Sequence, residues 1–298
     1  MKVDLIDLHT HTTASDGLLK PQQLVKEAEK KGLSAIAVTD HDQVSGISRA
    51  KKAAQVLEIV PGVELTTYLK SSKGQDKKEF HILGYFIDYQ SKRLKAGLEK
   101  FNQEREKRAG KIILKLEKLG FKINKDYLAE IAQGAVGRPH ISQAVLNNRQ
   151  NKALLKEKFT LIPNIGQFIR SFIIPGKPAY VEKFALSPKK AISLIHQVGG
   201  LAILAHPCWD VAVGDEGIIR RFKSWGIDGL EAIAPAKNID QTKKHIAYFS
   251  KIADKHGLLI TGGSDYHGFK ENGAGLGLLN WGLQIPGEIL KDLKKKLR

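Results

Sequence analysis

Short apolar runs alternate with amphipathic stretches along most of the chain. Val3 to Ile6 opens as an extended segment. Pro21 to Lys31 predicts a helix, with Pro21 in its first turn, Leu24, Val25 and Ala28 as its apolar stripe and Gly32 closing it. Leu33 to Val38 is a continuous apolar run, as expected of a strand buried on both faces. Ser45 to Leu57 predicts a second helix and Glu58-Ile59-Val60 a third strand, leading into Pro61-Gly62-Val63-Glu64-Leu65. This β-α-β-α-β order belongs to parallel sheets and barrels. Val63–Leu69 and Phe80–Ile87 then flank a polar loop, Lys70–Lys78.

The pattern changes from Ser91 to about Ile174. Leu94 to Leu119 predicts a long, highly charged helix, followed by shorter ones around Lys125–Ala132, Pro139–Asn147 and Ala153–Phe159. A structureless loop of that length inside a domain is improbable, so this stretch reads as a helical insertion. Strand-like alternation resumes at Ala179-Tyr180-Val181. The helix Pro188–Val198, the strand Gly200–Ala205, a helix near Ile218–Trp225, the strand Gly229–Ile233, the helix Gln241–His256 and the strand Leu258–Thr261 follow, and a helix over Pro286–Leu297 closes the chain. Six or seven strands, most followed by a helix, predict a β/α barrel, irregular or one strand short. No internal repeat or low-complexity segment interrupts it.

The polar residues that break the apolar pattern recur just after strands: His9 and His11, Asp40 and His41, Glu64, His206, and Asp265 with His267. In barrels of parallel strands the active site lies at that carboxyl end. His9 and His11, two apart on an extended segment, point to one side and can reach one cation. Asp16 follows in the next loop. His81 opens a strand instead of ending one, so the residue pattern alone makes it a core histidine. With His81, and leaving Asp40 aside, the set numbers nine and holds six of the ten histidines. Imidazole and carboxylate without thiolate suit Zn²⁺, Mn²⁺ or Fe²⁺. Nine ligands exceed one structural zinc site, so two or three metals are expected, with Glu64 as the natural bridging carboxylate. Clustered divalent metals generate hydroxide at neutral pH and clamp phosphoryl oxygens, which makes phosphoester hydrolysis the first chemical expectation. Asp40 has three open roles, as a ligand, a proton carrier or the orienting partner of His41, and the last is preferred. His196, His245 and His256 read as surface or helix-end residues.

The net charge of +17 over 298 residues favours anionic partners, although lysines spread along the chain also fit a solubility bias. The single cysteine, Cys208, excludes an internal disulfide, suits a reducing cytoplasm and reads as a small buried hydrophobe. No apolar run has membrane-spanning length and the start lacks a signal-peptide layout, so a cytoplasmic protein is expected. In the insertion, Gly134 to His140 is the stretch with chemistry. Arg138 offers a bidentate fork to phosphate and His140 a donor, although, taken alone, an exposed helix start with Pro139 in its first turn is the better account of both.

Asp7-Leu8-His9-Thr10-His11 with Asp16-Gly17, Thr39-Asp40-His41-Asp42, Pro61-Gly62-Val63-Glu64, His81-Ile82-Leu83-Gly84-Tyr85, His206-Pro207 and Gly263-Ser264-Asp265-Tyr266-His267 together resemble the PHP (polymerase and histidinol phosphatase) superfamily. The resemblance covers all but the insertion. It implies a distorted (β/α)7 barrel over 1–90 and 178–298, with 91–177 as a helical substrate cap. It implies three divalent metals, Mn²⁺ first among the choices. One would take His9, His11, Glu64 and Asp265, a second Glu64, His81 and His206, and a third Asp16, His41 and His267. Only the resemblance makes His81 a ligand. Within the superfamily the chain is most similar to stand-alone nucleoside 3′,5′-bisphosphate phosphatases and their 5′-3′ exoribonuclease relatives, which implies Arg138 and His140 as holders of substrate phosphate and Asp16 as the ligand of this branch. The implied partner is a phosphorylated nucleotide or a short RNA or DNA oligonucleotide, with no membrane and no obligatory protein partner. Two rivals remain: a histidinol-phosphate or other small phosphomonoester phosphatase, and a basic nucleic-acid-binding module with structural metals. No stacking-aromatic motif of the usual kind supports the second.

Overall fold

The computed structural model describes residues 4–70, 77–132, 136–268 and 274–297. The chain forms two compact units, one of residues 1–98 with 185–298, the other of residues 99–184.

The first unit starts with β1 (Ile6–Thr10), α1 (Pro21–Lys30), β2 (Ala35–Val38), α2 (Ser45–Ala53), β3 (Glu58–Lys70) and β4 (Lys77–Tyr85). The run 58–70 is one thirteen-residue strand, longer than the separate segments expected from its pattern. β3 and β4 pair antiparallel from Gly62↔Tyr85 to Lys70↔Lys77, and this continuous ladder is what extends β3 past Pro61. The centre of the expected Lys70–Lys78 loop lies outside the described residues.

The long helix α3 (Lys92–Lys118) carries the chain across the boundary, and α4 (Lys125–Ala132), α5 (Arg138–Leu146), α6 (Lys152–Lys158) and α7 (Ile165–Phe172) follow. The chain then returns through α8 (Pro188–Gln197), β5 (Leu201–Leu204), the single turn α9 (Pro207–Asp210), α10 (Glu216–Ser224), β6 (Gly229–Ile233), α11 (Ile239–His256), β7 (Leu259–Gly262) and α12 (Glu288–Lys296). The expected strand at Ala179–Val181 does not form. Ala179 is buried in the helical unit's own core and its N–H bonds to the Phe172 carbonyl, so this short segment finishes the helical unit.

Among the described residues seven strands form one sheet in the order β1-β2-β3-β4-β5-β6-β7. Neighbours are parallel except at β4, which runs antiparallel to both β3 and β5. The His11 N–H to the Tyr266 carbonyl (2.9 Å) and the Tyr266 N–H to the His9 carbonyl (3.2 Å) join the two edges, giving a distorted seven-stranded barrel. Ile6, Leu8, Ala37, Val60, Leu83, Tyr85 and Ile203 fill its core. The helical unit has a separate core around Ile112, Leu116, Phe121, Ile141, Val145, Phe168 and Phe172.

The reversed direction of β4 accounts for His81. In a strand antiparallel to its neighbours, early residues reach the rim where parallel strands end. His81 stands opposite Thr66, two residues past Glu64, and its carbonyl accepts the Ala205 N–H (3.0 Å).

Candidate metal centre

Glu64, fully buried on β3, is the hub. Its Oε1 lies 2.9 Å from His81 Nδ1 and 3.2 Å from His206 Nε2. Its Oε2 lies 2.9 Å from His41 Nδ1, 3.3 Å from His11 Nε2 and 3.4 Å from His9 Nε2. The two oxygens thus address different histidines. Asp265 Oδ1 approaches His11 Nε2 (3.1 Å) and His9 Nε2 (3.3 Å). Asp16 faces His267 Nε2 at 3.4 Å, and His11 Nδ1 and His41 Nε2 at 3.8 Å each. All nine residues named from the sequence therefore meet at one rim of the first unit. Donor atoms within 4.8 Å of one another form three groups: His9, His11, Glu64 and Asp265; His11, Asp16, His41 and His267; and His41, Glu64 and His81. His206 joins the last through the oxygen it shares with His81.

Acids given no role from the sequence hold this arrangement, Glu231, Asp7 and Asp42 buried and Glu79 partly exposed. Glu231 on β6 receives His9 Nδ1 at 3.0 and 3.1 Å and the His206 N–H at 2.7 Å. Asp7 accepts the N–H groups of His9 (3.1 Å), Ser264 (3.0 Å) and Gly277 (2.7 Å) and the Ser264 hydroxyl, tying β1 to the loop bearing Asp265. Asp42 accepts the Thr66 N–H and hydroxyl, both at 2.9 Å, and fixes the turn that carries His41. Glu79 lies 3.0 Å from His81 Nε2. The sign available in the sequence was a charged residue inside an apolar strand, as with Glu231, since a buried carboxylate needs partners. Asp40 accepts from the Thr12 N–H (2.7 Å), the Thr12 hydroxyl (2.8 Å) and the Ser15 hydroxyl (2.7 Å). Its carboxylate thus braces the loop that presents Asp16.

Backbone strain concentrates at the same rim. Asp42 (φ +50°), His206 (φ +26°) and Asp265 (φ +52°) adopt the left-handed region, which side-chain-bearing residues seldom enter and which clusters at functional sites. Gly263 lies so near β1 that a Cβ there would come within 2.1 Å of the His9 Cβ.

Charge is partitioned across the cluster. Burial opposes ionisation of Glu64, yet His41, His81 and His9 hold its carboxyl well below the usual range. Burial likewise opposes ionisation of Asp265, which His9 and His11 keep far below normal. Burial lowers His81 and His267, but Glu64 and Asp16 respectively push them up to about 9. His11 is lowered by burial and by its neighbour His267. His9 Nε2, His11 Nε2, His81 Nδ1 and Glu64 Oε2 are buried without a hydrogen-bond partner. Such groups are costly unless something pairs with them. Convergent imidazole and carboxylate donors left in this way fit divalent cations.

Arg138 and His140 belong to the helical unit, in the first turn of α5. Arg138 is exposed. His140 Nδ1 accepts the Gly137 N–H (3.2 Å), so in the neutral ring Nε2 carries the proton. Gly134 and Ala135, at the start of that motif, lie outside the described residues.

A PHP domain model matches residues 7–193. A 5′-3′ exoribonuclease of Haemophilus influenzae is 34% identical over 279 residues, covering 92% of this chain and 95% of that protein. A 3′,5′-nucleoside bisphosphate phosphatase of Chromobacterium violaceum is 30% identical, covering 91% and 90%. The solved structure of a Chromobacterium violaceum amidohydrolase with bound sulfate and no metal superimposes with a TM-score of 0.72 at 29% identity, covering 90% of this chain and 89% of that one. The chain belongs to the PHP domain family.

Proposed function

We propose that the protein hydrolyses a phosphate ester of nucleoside 3′,5′-bisphosphates and of short 5′-phosphorylated oligonucleotides. It is a metal-dependent phosphoesterase of the PHP type, a hydrolase acting on nucleotides. The observation that carries this reading is Glu64, whose two oxygens face separate sets of histidines around buried, unpaired donors. Relatives named as exoribonuclease and bisphosphate phosphatase, each matched over at least 90% of its length, support the nucleotide class.

In this reading three divalent cations, Mn²⁺ preferred, occupy the centre. His9, His11, Glu64 and Asp265 hold one, Glu64, His81 and His206 a second, and Asp16, His41 and His267 the third. Bound there, they lower the pKa of water and neutralise charge on phosphoryl oxygens. The protein's own residues do the positioning. Glu231 fixes the His9 ring so that Nε2 faces Glu64 and Asp265. Glu79 turns His81 so that Nδ1 faces Glu64. The segment 91–177 acts as a substrate cap, in which the Arg138 fork and the His140 Nε2 proton hold substrate phosphate. The single cysteine suits a cytoplasmic enzyme, and among the described residues no helix is long and apolar enough to cross a membrane.

The deciding assay is phosphate release by the Mn²⁺-loaded protein from adenosine 3′,5′-bisphosphate, beside 3′-AMP, 5′-AMP, histidinol phosphate and a 5′-phosphorylated RNA oligomer. Rapid phosphate release from the bisphosphate, with little from the monophosphates, is expected, while the oligomer is expected to yield nucleoside 5′-monophosphates and a shortened 5′-phosphorylated chain. Turnover of histidinol phosphate alone would overturn the substrate class. Arg138→Ala is expected to weaken binding of phosphorylated substrate with metal content retained, and unchanged kinetics would remove Arg138 from the site.

A further inference from the structure

The positive charge of this protein is unevenly placed. Residues 99–184 hold 17 Lys and Arg against 8 Asp and Glu, a balance of +9 within the chain's +17. The same unit contains an open cleft of about 850 Å³, in the size range of ligand sites. The cleft is walled by the end of α3, the turn before α4, and the turn after α5. It shares no residue with the metal centre.

Its lining has the chemistry of a nucleic-acid strand turned inside out. Lys122 and Arg149 supply two exposed cations, and among the described residues neither side chain is engaged in an ion pair. Half-buried Tyr127 offers an aromatic face, its hydroxyl held by the Asn147 side-chain amide at 2.7 Å. Asn147 keeps a side-chain carbonyl for a base edge, and Asn124, capping the Tyr127 N–H at 3.0 Å, fixes the approach to α4. Cations that track a backbone, interleaved with an aromatic on which bases stack, are what sequence-tolerant single-strand sites use. Glu117, the acid in the wall, opposes an anion and gives the site an internal control.

We propose that this cleft is a second binding site, for the sugar–phosphate chain of single-stranded nucleic acid. The proposal rests on the reading that oligonucleotides are substrates. Arg138 opens α5 and the cleft lies past its other end, so nine helical residues at 1.5 Å each set the two on the order of 13 Å apart along the helix. An oligonucleotide held at its 5′ phosphate by Arg138 lays its following nucleotides into the cleft, which a mononucleotide is too short to fill. The cleft thus selects for chain length, whereas Arg138 reads the end.

Two arms test this on the metal-loaded full chain. In the first, fluorescence anisotropy follows binding of a 5′-phosphorylated ten-nucleotide RNA with hydrolysis-resistant phosphorothioate linkages. The pair Lys122→Ala with Arg149→Ala is expected to weaken it at least tenfold. Removing two cations that each neutralise one phosphate, at about 0.7 apiece for single strands, is expected to reduce the slope of log affinity against log salt by about 1.4. Glu117→Gln is expected to tighten binding, which a merely damaged fold would not do. In the second arm, kcat/KM for adenosine 3′,5′-bisphosphate is expected to stay within twofold in the double variant and in Glu117→Gln. Unchanged RNA binding in the double variant overturns the proposal, as does an equal fall for RNA and bisphosphate, which would put these cations in the mononucleotide site. Should the wild-type protein hydrolyse no nucleotide, the functional reading fails while the anisotropy arm still decides the cleft.

Discussion

Glu231 shows how a residue outside the proposed ligand set orients a neighbour within it. Its carboxylate takes His9 Nδ1, which forces Nε2, the remaining ring nitrogen, toward Glu64 and Asp265. Glu231→Gln keeps the shape and removes the charge. It is expected to weaken metal binding by about 10- to 100-fold, the usual effect of losing such a partner, with the circular dichroism spectrum retained. Metal content after dialysis against graded chelator measures this, and an unchanged content would deny Glu231 the role. The proton balance offers a second test. Without metal, burial lowers His81 and His267, but their carboxylates outweigh it and raise both to about 9. At pH 7 both rings are then protonated, and a cation must displace those protons to bind. Apparent metal affinity is expected to fall as pH drops from 9 toward 6. Titration calorimetry at pH 7 in two buffers of different ionisation enthalpy is expected to show at least one proton released, and no release would contradict the raised pKa values. Eight of the nine cluster residues were legible from sequence, because histidines and acids gathered at or just past strand ends would be costly to bury unless they share a ligand, whereas His81, at the start of a strand, entered only through the family resemblance. Glu231 was not assigned, since a single acid in the middle of Gly229–Ile233 signals only that it needs partners, and these lie 222 and 25 positions away.

At the scale of elements, the barrel was readable where periodicity carries information and unreadable where it does not. Apolar runs such as Ala35–Val38 and Leu201–Leu204 declare strands by composition and length. Direction leaves no such mark. Nothing in Phe80-His81-Ile82-Leu83 says that β4 runs against its neighbours, and only that reversal brings His81 to the rim. Ala179–Val181 failed for the opposite reason, because a few alternating residues are too short to specify a strand against a competing core. The approach of β7's exit to β1 is the tightest element contact at the site. A Cβ on Gly263 would sit 2.1 Å from the His9 Cβ and 2.6 Å from Glu231 Oε1, and neither side has room to yield. Gly263→Ala is therefore expected to cost about 1–3 kcal/mol, as overpacking does in a filled core, and to displace His9 from Glu231. Denaturant unfolding with parallel metal analysis checks both, and a stable variant that keeps its metals would show that the close approach is not required.

For the whole molecule, the decisive feature is two separate cores under one chain. The barrel core buries the rim's supports, while the helical unit rests on its own aromatic cluster, with Phe121 5.3 Å from Phe168 and 5.1 Å from Phe172 between ring centroids. The nine cluster residues belong to the first unit, whereas Arg138, His140 and the basic cleft belong to the second. Two units with their own cores are expected to fail separately. Phe121→Ala removes the fully buried ring at the centre of the helical core, a change that costs about 3–5 kcal/mol in a well-packed interior. Because the Phe121 ring packs within the helical core, the variant is expected to bind its metals with wild-type stoichiometry. Its calorimetric trace is expected to separate into an early transition for residues 99–184 and a later one for the barrel, since two-state behaviour is not required of a chain with two cores. If 91–177 caps the substrate, kcat/KM for the bisphosphate falls as the early transition is approached while the metals stay bound. Loss of metal in step with that first transition would show instead that the barrel's centre depends on the helical unit for its integrity, and the division of labour between the two cores would have to be abandoned.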